Sequence, residues 1–326
     1  MSENQMGKGR DRILVTGAGG FVGSALVDAL LHEDDVDSVV AVDLGFSRRW
    51  SDPRITCTED HLDRVGAIEA LVAEPFDCIY HLATVAGVGS ADFDLGRRTN
   101  LDATVRLLDQ VRATGQRSRF VYASSVGVYG APLPARITDE TLPVPTNSYG
   151  THKLVCEYLV SDYSRAGFVD GLALRFPGII ARPAGSTTML SAFLNDVFYA
   201  ARAGAPFAVP LEAADGSWVM SLRCLISNLL LARRLDAGTL PDRRFWNLPA
   251  TLVRMADLVA ELGRVYGQAA TAQFVFAPDP SMRAMFAQVP LEAAGAERLG
   301  FVGDGNVAAF VANVIAEVPA LRPATA

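Results

Sequence analysis

Positive charge is in short supply in this 326-residue chain, where 29 Lys and Arg stand against 36 Asp and Glu for a net charge of −7. A field of that sign repels polyanions and argues against nucleic acid as a partner. Cysteine is equally sparse. Cys57, Cys78, Cys156 and Cys224 include no Cys-x-x-Cys pair, which fits neither a disulfide scaffold nor a zinc site and suits a reducing cytoplasm. The four histidines, His32, His61, His81 and His152, lack metal-ligand spacing, and no metal is expected. The opening MSENQMGKGRDR has no apolar leader core, and no stretch approaches the roughly 18 uninterrupted apolar residues of a membrane helix. The expectation is an unanchored cytoplasmic protein, without internal repeats or low-complexity tracts.

What the chain does have is apolar content, 50% of all residues, enough for one large core or two modest ones. From Arg12 onward, short β-rich runs alternate with segments of helical periodicity, the pattern of β-α-β units. Ile13 to Thr16, Val39 to Val42, Ile55 to Thr58, Cys78 to His81, Phe120 to Ala123 and Leu172 to Leu174 read as strands. Phe21 to Leu31, Val65 to Ala73, Ala91 to Arg112 and Tyr149 to Arg165 read as helices between them. The fold class is therefore α/β, a doubly wound parallel Rossmann sheet, with a ligand crevice at the carboxyl ends of its strands. After Arg182 the alternation weakens to isolated helices such as Leu222 to Leu235, Met255 to Val265 and Val307 to Val318, which predicts a smaller mixed C-terminal substrate lobe. Phe245 to Leu248 is expected to return to the main sheet. Residues 11–182 with about 218–250 then form the dinucleotide-binding domain, and 183–217 with 251–326 the substrate lobe.

The first strand runs into Thr16-Gly17-Ala18-Gly19-Gly20-Phe21-Val22-Gly23, directly before a helix. Glycines at 17, 20 and 23 permit a tight turn, close backbone approach to a pyrophosphate and close helix–strand packing, although Val22 stands where G-x-G-x-x-G has its last glycine. The helix start offers free N–H groups to phosphate. Asp43 closes the second strand, placed to accept hydrogen bonds from both adenosine ribose hydroxyls and to repel a 2′-phosphate, so NAD is favoured over NADP. Arg48 and Arg49 follow, either as partners for such a phosphate or as a solvated basic turn.

Ser148-Tyr149-Gly150-Thr151-His152-Lys153 places a phenol and an ammonium at i and i+4, on one helix face. The ammonium favours the phenolate, which can take a hydroxyl proton as hydride departs. Tyr122-Ala123-Ser124-Ser125 ends the fifth strand, and Ser125 presents a hydroxyl at the same rim. The glycines at 17, 20 and 23, His81-Leu82-Ala83, Ser124-Ser125 with Val128-Tyr129-Gly130, and Tyr149 with Lys153 together resemble the extended short-chain dehydrogenase/reductase family, the NAD-dependent epimerase/dehydratase family, from about residue 12 to the C-terminus.

The resemblance implies a catalytic set of Ser125, Tyr149 and Lys153, the last also on the nicotinamide ribose. It implies a cofactor surface of Gly17, Gly20, Phe21, Val22, Gly23, Asp43, Asp60 and His61, with Leu82, Ala83, Thr84, Asn100, Tyr149, Lys153 and Pro177 around its other half. Asp60 matches the residue that meets the adenine amino group, while Asp63 either shares that surface or caps the next helix. Phrases around Asp92-Phe93-Asp94-Leu95-Gly96, Asp162 to Gly171 and Trp218 to Ser221 resemble the D-erythronate dehydrogenase group, which oxidises the C2 hydroxyl of a four-carbon sugar acid. Arg175-Phe176-Pro177-Gly178-Ile179 departs from it and is similar to the short-chain L-threonine dehydrogenases.

A hydroxy acid needs a carboxylate anchor, for which Arg182 and Arg223 are the candidates. Ser125, Tyr149 and Trp218 complete the substrate side, and Ser186, Thr187 and Thr188 either touch substrate or cap a helix. The alternatives are a nucleotide-sugar epimerase or dehydratase, an L-threonine-type 3-hydroxy acid dehydrogenase, and a catalytically idle dinucleotide sensor. A homodimer through the helices Ala91 to Arg112 and Tyr149 to Arg165 is implied by the resemblance alone.

Overall fold

The computed structural model of the chain describes residues 10–87, 92–183 and 190–323. Its first part alternates as the hydrophobic pattern dictates: β1 (Asp11–Thr16), α1 (Phe21–Leu30), β2 (Val36–Asp43), β3 (Ile55–Glu59), α2 (Ala67–Leu71) and β4 (Cys78–His81). There follow α3 (Phe93–Gly96), a π-helical stretch Arg97–Asp102, α4 (Ala103–Ala113), β5 (Arg119–Ser125), α5 (Ser148–Arg165) and β6 (Asp170–Phe176). The second part comprises β7 (Gly178–Ile180), α6 (Phe193–Ala203), β8 (Phe207–Val209), β9 (Gly216–Ser221), α7 (Leu222–Arg234), β10 (Phe245–Asn247) and β11 (Thr251–Arg254). It closes with α8 (Met255–Tyr266), β12 (Phe274–Phe276), α9 (Pro280–Phe286), α10 (Ala294–Arg298) and α11 (Val307–Glu317).

Seven parallel strands form the main sheet in the order β10-β6-β5-β4-β1-β2-β3. Helices cover both faces, so the inner strands read as continuous apolar runs instead of alternating ones. On one face Leu26 and Val27 of α1 and Leu225 and Leu229 of α7 pack with Val15, Tyr80, Val121 and Leu174. On the other, Ile68 of α2, Leu107 of α4 and Cys156 and Val160 of α5 pack with Leu14, Ile79, Phe120 and Ala173. Because β1 has β2 on one side and β4 on the other, the winding reverses there and a crevice opens at the strands' carboxyl ends. Asp43 stands at that end of β2 and Ser125 at that end of β5.

β10 pairs in parallel with β6, so Phe245 does return to the main sheet. By contrast, Trp218 to Ser221, expected with the dinucleotide-binding domain, belong to β9, which pairs with β7 and β11 in a separate three-stranded sheet. Behind that sheet α6, α8 and α11 contribute Phe198, Leu258, Leu262, Phe310 and Val314 to a second core. The single helix expected over Ala91 to Arg112 is three pieces, and its first residue lies outside the described residues. Its π-turn falls around Asn100, whose side chain is tied to a neighbouring loop. Among the described residues no helix is long and apolar enough to cross a membrane.

Candidate active site

The turn after β1 is shaped by backbone crowding. Gly17 has φ +73, and a Cβ there would lie 2.7 Å from the Ala83 nitrogen; a Cβ on Gly23 would lie 2.0 Å from the Gly17 carbonyl oxygen. The loop therefore packs directly on the β4 exit and on the first turn of α1, with no room for side chains. No side chain caps α1 at Gly20, and its first turn holds no acidic residue, which leaves its N–H groups available to an anion. This is a cradle that a Cβ would fill, and it fits a pyrophosphate.

At the end of β2 the Asp43 carboxylate accepts from the Gly19 N–H at 2.9 Å and the Leu44 N–H at 2.7 Å, which holds it beside the glycine turn. The two arginines beyond it are engaged elsewhere. Arg48 pairs with Asp28 and lies 4.9 Å over the Trp50 ring; Arg49 pairs with Glu59 at 2.5 Å and lies 5.8 Å from the Phe46 centroid. Asp60, just after β3, accepts from Arg64 Nε at 2.8 Å, and this Arg64 pairing holds its carboxyl at about 2. His61 is exposed beside it. Asp63 does not cap the next helix, since Gly66 stands at that position; its carboxylate faces Arg98 at 3.6 Å.

Beyond β4, Leu82 N–H donates to the Thr16 carbonyl at 3.1 Å and Ala83 N–H to the Thr16 hydroxyl at 3.3 Å. Thr84 and Val85 are held by Asn100, which accepts from Thr84 Oγ1 at 3.0 Å and Val85 N–H at 2.7 Å and donates to the Val85 carbonyl at 2.8 Å. Underneath, His81 is buried between two hydroxyls, Nδ1 2.7 Å from Thr16 Oγ1 and Nε2 2.9 Å from Thr104 Oγ1. Because Thr104 spends its proton on the Asn100 carbonyl, Nε2 is the donor and Nδ1 accepts from Thr16. Burial, with the Lys153 charge added, pushes this imidazole down to about 3 and keeps it neutral. Thr16 and Thr104 were not singled out from the sequence.

The reacting groups meet at the ends of β5 and α5. Asn147 caps α5 by accepting from the Gly150 N–H at 2.8 Å, which fixes the turn carrying Tyr149. Ser125 Oγ accepts from the Gly127 N–H at 3.0 Å, and its hydroxyl faces the Tyr149 phenol, whose charged form it favours. Burial raises the Tyr149 phenol, while the Ser125 hydrogen bond and the Arg182 charge draw it back. Lys153 is 1% exposed. Its Nζ donates to the Ala123 carbonyl at 2.6 Å and lies 5.7 Å from the Tyr149 ring centroid. Burial pushes this ammonium down to about 8, against the opposing pull of Cys156 and Glu157.

Of the two carboxylate-anchor candidates the fold brings only one to this group. Arg182 follows β7 with its N–H held by Asn195 at 2.8 Å, its carbonyl by Tyr199 at 2.9 Å, and its guanidinium 5.0 Å from the Phe21 ring centroid. Half-buried, it has no acidic partner among the described residues, and its charge acts on Tyr149. Arg223 is instead exposed on the first turn of α7. Trp218 is 2% exposed and donates to the Val289 carbonyl at 2.7 Å, so it backs Tyr129 from the core and does not line an open pocket. Pro177 is buried between β6 and β7. Ser186, Thr187 and Thr188 lie outside the described residues. Among those residues no group of three or more His, Cys, Asp or Glu is placed to hold a metal ion.

Known proteins resemble this chain to different extents. Residues 13–213 match the model of the NAD dependent epimerase/dehydratase family. The D-erythronate dehydrogenase of Haemophilus influenzae is 32% identical over 301 residues, 90% of this chain and 96% of that protein. The D-erythronate dehydrogenase of Cupriavidus necator is 32% identical over 307 residues, 90% and 94% respectively. The crystal structure of a nucleoside-diphosphate-sugar epimerase from Agrobacterium tumefaciens superposes with a TM-score of 0.89 at 28% identity, over 97% of each chain.

Proposed function

Because this chain belongs to the NAD-dependent epimerase/dehydratase family of extended short-chain dehydrogenases/reductases, and is thus an NAD-dependent oxidoreductase, we propose that it oxidises the C2 hydroxyl of a small 2-hydroxy sugar acid. D-erythronate or a close analogue is the substrate, and the 2-oxo acid the product. The observation that carries this reading is Arg182, a half-buried guanidinium with no acidic partner among the described residues, acting on the phenol of Tyr149. An acid substrate seated there sets its carboxylate on Arg182 and its C2 hydroxyl toward Tyr149 and Ser125. The two D-erythronate dehydrogenases aligned over nine-tenths of the chain support the same substrate class.

The backbone of Gly17, Gly20, Phe21, Val22 and Gly23 holds the cofactor's pyrophosphate, Asp43 its adenosine ribose, and Asp60 with His61 its adenine end. Leu82, Ala83, Thr84, Asn100, Pro177 and Lys153 line the nicotinamide half. NAD, when bound, supplies the hydride acceptor. Ser125 orients the substrate hydroxyl, Tyr149 Oη takes its proton, and the Lys153 ammonium stabilises the phenolate that does so. The seven-stranded main sheet, closed by β10, serves the cofactor, and the three-stranded sheet with the second core behind it shapes the substrate end.

Purified protein with NAD and a panel of four- to six-carbon aldonates, followed at the reduced-nicotinamide band, tests the reading. Steady reduction with erythronate is expected. The epimerase likeness favours a second reading, in which a nucleotide sugar turns over with no net reduction. A rate with L-threonine alone would instead assign the site to the chemistry that Pro177-Gly178-Ile179 resembles. Phe93, Val155 and Tyr158 are 57%, 39% and 53% exposed along α3 and α5, which supports a homodimer through that face, testable by light scattering.

A further inference from the structure

Beneath the reacting groups lies an ion pair for which the chemistry above has no use. Glu157 and Arg175 are both fully buried, with Arg175 Nε 2.8 Å from Oε1 and Nη2 2.7 Å from Oε2. The third nitrogen donates to the Tyr129 hydroxyl at 2.7 Å, which donates to Asn247 Oδ1 at 3.0 Å. Ser124 Oγ gives the carboxylate another hydrogen bond, at 2.5 Å. The guanidinium lies 5.1 Å from the Tyr129 ring centroid and 4.9 Å from that of Phe245. A buried pair of this kind loses so much hydration that an apolar pair of equal volume often serves stability as well or better. Stability alone does not account for it.

Its connections do. Ser124 immediately precedes Ser125, and Glu157 follows Lys153 by four residues on the same face of α5. Arg175 lies two residues before Pro177. One carboxylate therefore fastens the three elements that deliver Ser125, Lys153 and Pro177. The pair also sits within the electrostatic surroundings of Lys153. From α5 itself Tyr149, Cys156 and Glu157 face the ammonium; β5 adds Tyr122, with its ring centroid 4.8 Å away, and β4 adds His81. Burial disfavours charge on Tyr122, Cys156 and His81, and the carboxylate of this group is that of Glu157, held on both oxygens by the Arg175 guanidinium.

We propose that Glu157 and Arg175 are positioning residues for the reaction. Glu157 keeps the Lys153 ammonium charged in its dry site and, through Ser124, holds the Ser125 strand end against α5; Arg175 fixes that carboxylate in place. The proposal rests on the Ser125–Tyr149–Lys153 reading above.

A scarcity in the composition makes the test direct. Lys8 and Lys153 are the only lysines in the chain, so protein labelled with ¹³C at lysine Cε gives two resonances and Lys153 titrates in view without any substrate. In Glu157→Gln the Lys153 midpoint should fall by about one pH unit or more, and the alkaline limb of the erythronate pH–rate profile should move with it. Glu157→Asp, which keeps the charge, should return the midpoint most of the way. Ser124→Ala should leave the midpoint in place and lower kcat several-fold. A folded Glu157→Gln protein with the wild-type Lys153 midpoint and pH profile would overturn the proposal. Should that variant not fold, wild-type kcat in Ser124→Ala overturns it. A shifted midpoint in a protein that oxidises no acid of the panel supports the electrostatic role of Glu157 and refutes the substrate reading.

Discussion

Replacing Arg182 by methionine removes the charge that lies over the Phe21 ring while keeping most of the aliphatic stem. Two features of the structure set the size of the effect. The guanidinium is half-buried, so a carboxylate bound to it is partly withdrawn from water, and it has no acidic partner among the described residues that substrate must displace. A hydrogen bond to a charged group in such a setting contributes about 1.5–3 kcal/mol, which corresponds to a loss of roughly 10- to 150-fold in kcat/KM for an acid substrate. Most of that loss should appear in KM, because the contact is made equally before and during hydride transfer. NAD affinity, read by fluorescence titration, should stay near that of the wild type. The same charge draws down the proton affinity of Tyr149, so its removal should also move the rising limb of the pH–rate profile to higher pH. Initial rates with erythronate across pH measure both effects, and Arg223→Met, altered at an exposed position, is the control. An unchanged KM in Arg182→Met would dismiss the carboxylate anchor, and a raised KM in Arg223→Met alone would transfer the role to the other arginine.

Further outcomes follow from the remaining geometry. Tyr149→Phe should abolish turnover while leaving NAD binding nearly intact; residual oxidation at the wild-type rate would remove the phenol from the reaction. Asp43→Ala should weaken NAD about tenfold and narrow the preference over NADP. The gain with NADP should stay modest, because Arg48 and Arg49 are paired to Asp28 and Glu59, and saturation kinetics with both cofactors decide it. Gly23→Ala forces a Cβ to within 2.0 Å of a backbone oxygen, so calorimetry should find no NAD binding at concentrations that saturate the wild type. Lys153 titrates at about 8 in the folded chain against 10.5 for the free side chain, so between those values the unfolded chain holds the extra proton. Stability relative to Lys153→Met should therefore be flat below pH 8 and rise from there towards pH 10.5, by about 3 kcal/mol at most. Urea unfolding at pH 7 and pH 9.5 with a constant difference would contradict the buried ammonium.

The parts legible in the sequence are those whose cause is local. Runs such as Cys78 to Tyr80 are apolar throughout because helices cover both faces of β4, and that burial needs no partner to be named. The glycines of the first turn, Asp43 at a strand end, and Tyr149 and Lys153 one helical turn apart are likewise set by short-range geometry. What stayed hidden depends on distant segments meeting. Arg182 and Arg223 look alike in sequence, and only the first, directly after β7, has its charge acting on Tyr149. Trp218 reads as an aromatic near the site, yet β9 turns it inward to the Val289 carbonyl. Glu157 and Arg175 are 18 positions apart and join because α5 packs across β5 and β6; the one local signal was an acid placed four residues after Lys153. The π-turn at Arg97–Asp102 has no compositional mark at all.

The late return of β10 bears on how the chain is made. β6 is complete at Phe176, yet the strand that closes its outer edge is not synthesised until Asn247. While the intervening residues emerge, the nascent sheet carries an open parallel edge, the kind of surface that invites pairing with a neighbouring chain. Phe245, which shields the Arg175 guanidinium, and Asn247, which receives the Tyr129 hydroxyl, arrive on that same strand. Sheet closure and burial of the ion pair are thus one late event on the ribosome, and a chain truncated before residue 245 would keep its glycine turn and its tyrosine while leaving a charged pair exposed at an unfinished edge.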